Sequence, residues 1–296
     1  MPRPIFPGDT YLVTRRCTQR QFWLKPTPLT CKIFAYCLAV AASQTGILVH
    51  AVVVLSNHWH IVATDPEGRL PDFLQRVHRL VARSLNCSLG RWENLWASEP
   101  PCIVTLDSAE DIIDKMAYVV ANPVAAALVR KPKHWPGILC YLPRHSYQVE
   151  RPGVFFRPNG PMPQRASLTI VPPPVSDEMG APAFQKALSA AIQRHLEQAR
   201  QSNADNRRPY LGVRGVMRQA HCDSPNSWTP RRGLRPRVAA KNKWRRVEVL
   251  RRLKEWYQAY RQAFDAWRAG DREILFPHGT YAMRLREGVA CVEAPS

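Results

Sequence analysis

Acidic residues are scarce in this 296-residue chain: 23 Asp and Glu stand against 42 Lys and Arg, a formal charge of +19 with an isoelectric point near 10.1. That excludes an acidic, solubilising tail protein and calls for an anionic partner, either a nucleic acid or a lipid surface. The eight cysteines, at 17, 31, 37, 87, 102, 140, 222 and 291, include no Cys-x-x-Cys pair and no histidine spacing of a zinc ribbon or finger, so scattered reduced thiols are expected. Long apolar runs are missing too. The nearest, Ile33 to Leu55, is cut by Ser43, Gln44, Thr45 and His50 into two runs of roughly ten residues, too short to span a bilayer. The opening Met1-Pro-Arg-Pro-Ile-Phe-Pro lacks the apolar stretch of a signal peptide, which makes a cytoplasmic protein the expectation. No P-loop, dinucleotide-binding glycine fingerprint or internal repeat is found.

What is present divides unevenly. At 45 % hydrophobic and 22 % charged residues the chain can bury a core, and its length suggests about two domains. Residues 1–150 carry a net charge of +5 and the remainder +14. Arg151 to Pro182 holds eight of the 27 prolines and reads as an extended linker. The expected organisation is a catalytic domain over 1–150, a Pro-rich linker over 151–182 and a basic, mainly helical region over 183–296 for DNA binding or dimerisation.

Periodicity gives the elements of the first part. Tyr11 to Thr14 reads as a strand, and Leu29 to Ala42 as a helix with Phe34, Cys37, Leu38 and Ala41 on one face. Leu48 to Leu55 and His58 to Thr64, parted by Ser56-Asn57, read as a hairpin. Leu70 to Asn86 is an amphipathic helix with Phe73, Leu74, Val77, Leu80, Val81 and Leu85 as its stripe. Cys102 to Thr105 is a short strand; Ser108, with Asp111 three residues on, caps a helix that Pro123 stops near Ala121. The order βαββαβ plus one helix predicts an α+β fold, a ferredoxin-like antiparallel sheet with an added helix.

His58-Trp59-His60 lies on the second hairpin strand, where side chains alternate, so both imidazoles share a face and Trp59 points the other way. The pair suits a metal clamp, and equally two buried, hydrogen-bonded histidines. On the last helix, at ~100° per residue, Tyr118 falls with Asp111, Asp114, Lys115 and Asn122, opposite Ile112, Ile113, Met116, Val119 and Val120. A tyrosine there is either a surface residue or a functional one, and Asn122 can set a carboxamide beside the phenol. A divalent ion on two imidazoles and an oxygen keeps positions open for phosphate oxygens and polarises phosphorus. Nitrogen ligands favour Mn, Co or Ni over Mg on softness, whereas abundance favours Mg.

Leu55-Ser-Asn-His58-Trp-His60-Ile-Val, followed about sixty residues later by Tyr118-Val-Val-Ala-Asn122-Pro-Val-Ala-Ala-Ala-Leu-Val129, resembles the single-tyrosine His-hydrophobic-His transposases, in particular the repeat-associated tyrosine branch of the insertion-sequence 200/605-like superfamily. The resemblance covers roughly residues 8 to 150. It implies metal ligation by His58, His60 and Asn122, a Mg or Mn cofactor, and Tyr118 as a nucleophile that cleaves single-stranded DNA through a 5′-phosphotyrosine at hairpin-forming repeats. The chain departs from the family's usual pattern at Trp59, Ala125 and Ala127, the last two standing where a basic residue and a glycine are common. Phe276 to Arg284 also looks like the C-terminal end of longer members.

The basic surface has two parts. Arg76, Arg79 and Arg83 share one side of the second helix. Arg231, Arg232, Arg235, Arg237, Lys241, Lys243, Arg245 and Arg246 lead from a Gly/Pro-broken arm into a helix expected over Lys243 to Arg268, with Val247, Leu250, Leu253, Tyr257, Tyr260, Phe264 and Trp267 as its stripe. These cations are expected to track phosphates. A basic amphipathic helix also suits a membrane surface, but the nuclease-like site favours DNA, and no membrane partner is expected. The alternative to an enzyme is a non-catalytic nucleic-acid-binding regulator derived from such a transposase. The chain is read as a monomer or homodimer.

Overall fold

The computed structural model of the chain describes residues 2–143, 146–226, 237–240 and 242–293. Its first elements follow the expected order: β1 (Thr10–Arg16), α1 (Pro28–Thr45), β2 (Leu48–Val54), β3 (His58–Thr64), α2 (Leu70–Ser88), β4 (Cys102–Leu106) and α3 (Ala109–Ala125). The strands lie side by side as β2-β3-β1-β4, every pair antiparallel, which is the ferredoxin-like arrangement. Two short strands extend it. β5 (Leu139–Tyr141) pairs with β2, and β8 (Val238–Ala239) runs parallel to β4, so the sheet is mixed where an antiparallel one was expected. A strand arriving from the distant C-terminal half is not bound to the hairpin direction.

Caps set the helix ends. Thr27 accepts from the Thr30 amide to open α1, which ends at Thr45, three residues beyond the expected end, with Gly46 closing it at φ +69°. Asp65 opens α2, its carboxylate accepting from the Arg69 and Leu70 amides at 2.8 and 2.6 Å. Ser108 opens α3. Pro123, expected to stop α3, lies inside it, and the helix runs on to Ala125. Proline costs one ladder bond, and here tertiary packing of the last turn outweighs that cost.

Paired residues share a face of the sheet. Trp59, fully buried, points to the side covered by α1 and α2, against Phe34 (ring centroids 5.3 Å) and His78 (5.7 Å). Each such large apolar side chain contributes about 1.5–3 kcal/mol when fully buried. His58 and His60 point to the other side, which α3 crosses.

The Pro-rich stretch 151–182 contains β7 (Arg165–Thr169), which pairs antiparallel with β6 (Ser146–Glu150) over the outer side of α1. Tyr36 of α1 donates its hydroxyl to the Pro163 carbonyl at 2.5 Å, and Leu168 and Ile170 are buried in the main core. Beyond α4 (Val175–Met179), α5 (Ala181–Asp205) packs along α3 and puts Phe184, Leu188 and Ala191 into that same core. α6 (Gly212–Arg218) follows. α7 (Lys243–Arg268), with α8 (Ala282–Glu287) after it, forms a second apolar cluster around Trp256, Tyr260, Ala263, Phe276 and Val289. Val247 and Leu250, expected in the packed stripe of α7, are 53 % and 43 % exposed: the buried side is turned toward Trp256 and Ala263. No helix among the described residues is long and apolar enough to cross a membrane.

Candidate active site

The register of β1 against β3 sets Thr14 opposite His60 and Arg16 opposite His58. Directly opposed side chains share a face, so β1 supplies the pair with a hydroxyl and a guanidinium. The His58 and His60 rings lie 4.8 Å apart, centroid to centroid. Thr14 Oγ1 meets His60 Nδ1 at 2.7 Å, and Asn57 Oδ1 meets His58 Nδ1 at 2.6 Å. Asn57 is itself oriented, because its Nδ2 donates to the Arg20 carbonyl at 3.0 Å. Its oxygen therefore faces His58; a carbonyl oxygen only accepts, so His58 carries its proton on Nδ1 and keeps the Nε2 lone pair. Gln19 and Arg20, at φ +49° and +59°, form the unusual turn that brings this carbonyl to Asn57.

Both imidazoles are held neutral. Burial is the first cause, lowering His58 to about 4 with help from the Arg16 and Arg20 charges, and holding His60 well below the usual histidine range with help from His58 and Arg16. Among the described residues the buried His60 Nε2 has no hydrogen-bond partner. A buried, unpaired imidazole nitrogen is costly unless something fills the position.

α3 brings the remaining groups. The Tyr118 ring lies 5.3 Å from that of His60, edge to face, within the same chain. Burial raises the phenol; a hydrogen bond from Asn122 and the Arg16 charge pull it back toward the ionised form. The polar side of α3 is buried: Asp111, Asp114 and Asn122 are at most 9 % exposed. α5 holds two points of the helix. His195 Nε2 meets Asp114 Oδ1 at 3.0 Å, and Asn203 Nδ2 donates to the Val124 carbonyl at 2.7 Å, so α5 grips α3 on both sides of Tyr118.

The four residues expected from the sequence thus converge, whereas the expected DNA-binding residues do not join them. Arg76, Arg79 and Arg83 lie on α2, across the sheet; Arg76 bonds Gln44 Oε1 at 2.9 Å, and Arg83 sits over the Phe155 ring. Lys243 and Arg246 are exposed on α7, Arg245 pairs with Asp107, and Arg237 lies over Tyr257. Arg231, Arg232, Arg235 and Lys241 lie outside the described residues. Sequence reasoning missed Thr14, Arg16, Arg20 and Asn57 around the histidines. Only Asn57, adjacent in sequence, carried a signal; the others depend on strand register or on a turn.

Two imidazoles with one unfilled buried nitrogen fit a divalent cation, and both Nδ1 atoms have the oxygen partners that orient a ligating histidine. Among the described residues no third His, Cys, Asp or Glu joins them, so a further protein donor has to be an oxygen of another kind, such as the Asn122 carboxamide.

No family model matches the sequence, and no curated protein matches it. Among solved structures the chain is similar to a REP-associated tyrosine transposase bound to a REP hairpin, at 17 % identity and a TM-score of 0.40 over 46 % of this chain and 79 % of that one. It is also similar to a candidate transposase from Deinococcus radiodurans R1, at 19 % identity and a TM-score of 0.29 over 36 % of this chain and 86 % of that one.

Proposed function

We propose that this chain is a transposase-like enzyme that cleaves and rejoins single-stranded DNA, with Tyr118 as nucleophile. The carrying observation is that Tyr118 stands against His60 of its own subunit, beside a pair of neutral imidazoles and under the positive charge of Arg16. A divalent ion, Mg or Mn, would be held by His58 and His60 with the Asn122 oxygen as a further donor, and supplies Lewis-acid polarisation of the phosphate when bound.

The chain's own residues account for the rest. The Tyr118 oxygen forms the bond to phosphorus and loses its proton; the bond to the 3′ oxygen breaks, and that oxygen takes up a proton as a free hydroxyl. The 5′ phosphate stays on Tyr118. That ester keeps the energy of the diester, so a second strand's 3′-hydroxyl reverses the step and joins without ATP. Asn122 and Arg16 favour the ionised phenol that attack needs and counter part of the burial that opposes it. Arg16 and Arg20 offer charge to a phosphate. Hairpin-forming repeats suit the site as substrates because they expose single-stranded flanks beside a fixed shape. One subunit supplies every group, so a monomer suffices. Residues 1–150 would carry the chemistry, and the more basic remainder would grip DNA.

A labelled hairpin oligonucleotide with Mn or Mg is expected to give a denaturation-resistant protein adduct that Tyr118→Phe lacks; equal cleavage by the variant refutes the mechanism. The lack, among the described residues, of a third His, Cys, Asp or Glu beside the pair favours a second reading, a DNA-binding regulator with a disused site. DNA binding with no adduct under any metal would support it.

A further inference from the structure

A cleft of about 310 Å³ opens between the N-terminal segment, the β4–β8 edge and α7, apart from the His58–Tyr118 site. Arg3, Arg237 and Arg252 enter it from three different segments, and Phe6, Trp256 and Tyr257 give it aromatic walls. Arg237 is fixed there, its guanidinium over the Tyr257 ring at 4.7 Å and bonded to the Tyr257 hydroxyl. Arg3 is bonded to the Ile103 carbonyl, which occupies only part of its five-donor fork.

The charges do not balance. Of the two carboxylates in the cleft, Asp107 is taken by Arg245, and Arg252 is paired with Glu248. The other, Asp9, accepts from the Tyr11 hydroxyl at 3.3 Å. Burial holds Arg3 below the ordinary guanidinium range, and the Arg237 charge acts on it in the same direction. Two like charges brought together in a partly desolvated cleft are relieved by an anion, and planar guanidiniums match phosphate oxygens. A volume of about 310 Å³ has room for a single nucleotide and not for a duplex. Aromatic walls of this kind receive a base whose faces are unstacked.

We propose that this cleft holds one unpaired nucleotide of a DNA single strand, its phosphate on Arg3 and Arg237 and its base against the Phe6, Trp256 and Tyr257 walls. The proposal rests on reading the chain as a DNA-processing protein. Thr105 and Asp107 of the cleft lie three and five positions along from Cys102, which shares the Thr14 register with His60. At ~3.4 Å per residue the cleft is on the order of 10–17 Å along β4 from the His60 register. Thr105, an odd number of positions from Cys102, points to the face opposite His60, so a few nucleotides join the two by passing round the sheet edge. The cleft thus anchors the strand at a fixed offset from the bond that Tyr118 meets.

The test is an abasic scan of a labelled single-stranded oligonucleotide by fluorescence polarisation, on the full chain, with adduct formation followed in parallel. One abasic position, a few nucleotides from the cleaved bond, is expected to weaken wild-type binding about 10-fold and to have no effect in Tyr257→Leu. Arg3→Gln with Arg237→Gln should cost about 10-fold or more and reduce the salt slope by about two. Arg246→Gln, an exposed α7 charge, should lower affinity slightly and leave the abasic profile intact. If the double variant does not fold, Arg237→Gln alone is scored for a salt slope lower by about one. A flat abasic profile, or a double variant no weaker than Arg246→Gln, overturns the proposal even where the adduct forms. A coupled profile without an adduct keeps the cleft and removes the catalytic reading. Competition by dAMP as strong as that of the oligonucleotide would mean a free-nucleotide site and overturn the strand assignment.

Discussion

Thr14→Val tests whether His60 is a ligand or only a packed core residue. Valine keeps the shape of threonine and removes the Oγ1 that meets His60 Nδ1 at 2.7 Å. Thr14 also anchors nothing on the opposite face of the sheet, because its side chain shares the register of His60 and Cys102. Losing the partner of a buried polar atom costs about 1–3 kcal/mol, and outer partners of a metal-bound histidine are typically worth 10–100-fold in affinity or activity. If His60 offers Nε2 to an ion, Mn affinity measured by calorimetry should fall about 10-fold or more, and single-turnover adduct formation should fall with it. Thr14→Ser, which keeps the hydroxyl, should restore both. Urea unfolding of the metal-free protein separates the alternatives. If Thr14→Val loses about 1–3 kcal/mol of stability while Mn affinity stays equal to wild type, the hydroxyl serves only to satisfy a core histidine, and the ligand reading of His60 is refuted.

Two further outcomes are expected. His195→Ala should loosen the α5 grip on α3, slowing adduct formation several-fold with oligonucleotide affinity unchanged, and His195→Gln should recover part of the rate; an unchanged rate would show that Tyr118 is fixed without α5. His50, fully buried and bonded to the Val171 carbonyl (2.8 Å) and Thr64 Oγ1 (2.7 Å), is lowered by burial to about 4 from an ordinary 6.5. The unfolded chain takes up this proton first, so the folded state loses stability as pH falls from about 6.5 to about 4, by about 3 kcal/mol for this residue. Urea unfolding against pH should show that loss, and His50→Gln should lessen the slope by about 1.4 kcal/mol per pH unit. A variant slope equal to wild type would sink the assignment.

Local pattern determined the β1-to-α3 order, because two-residue and 3.6-residue periodicities mark buried faces without reference to partners. It placed His58 and His60 on one face through alternation alone, and Tyr118 and Asn122 on one side of a helix through their four-residue spacing. What it left undecided was what covers each polar face. Periodicity put Asp111 and Asp114 on the side of Tyr118 without saying what meets them; both are buried, and α5, about eighty residues later, holds Asp114 through His195. Pro123 read as a stop because local sterics disfavour it, and packing overrode a cost of one hydrogen bond. Thr14, Arg16 and the Arg20 carbonyl reached the histidines only through register and one strained turn, neither of which leaves a periodic trace. The sequence alone therefore determined which chemical groups this protein possesses and on which elements they ride. Tertiary structure alone decided that Tyr118 meets the histidines of its own chain, because the distance between a helix and a sheet sixty residues away is set by long-range packing.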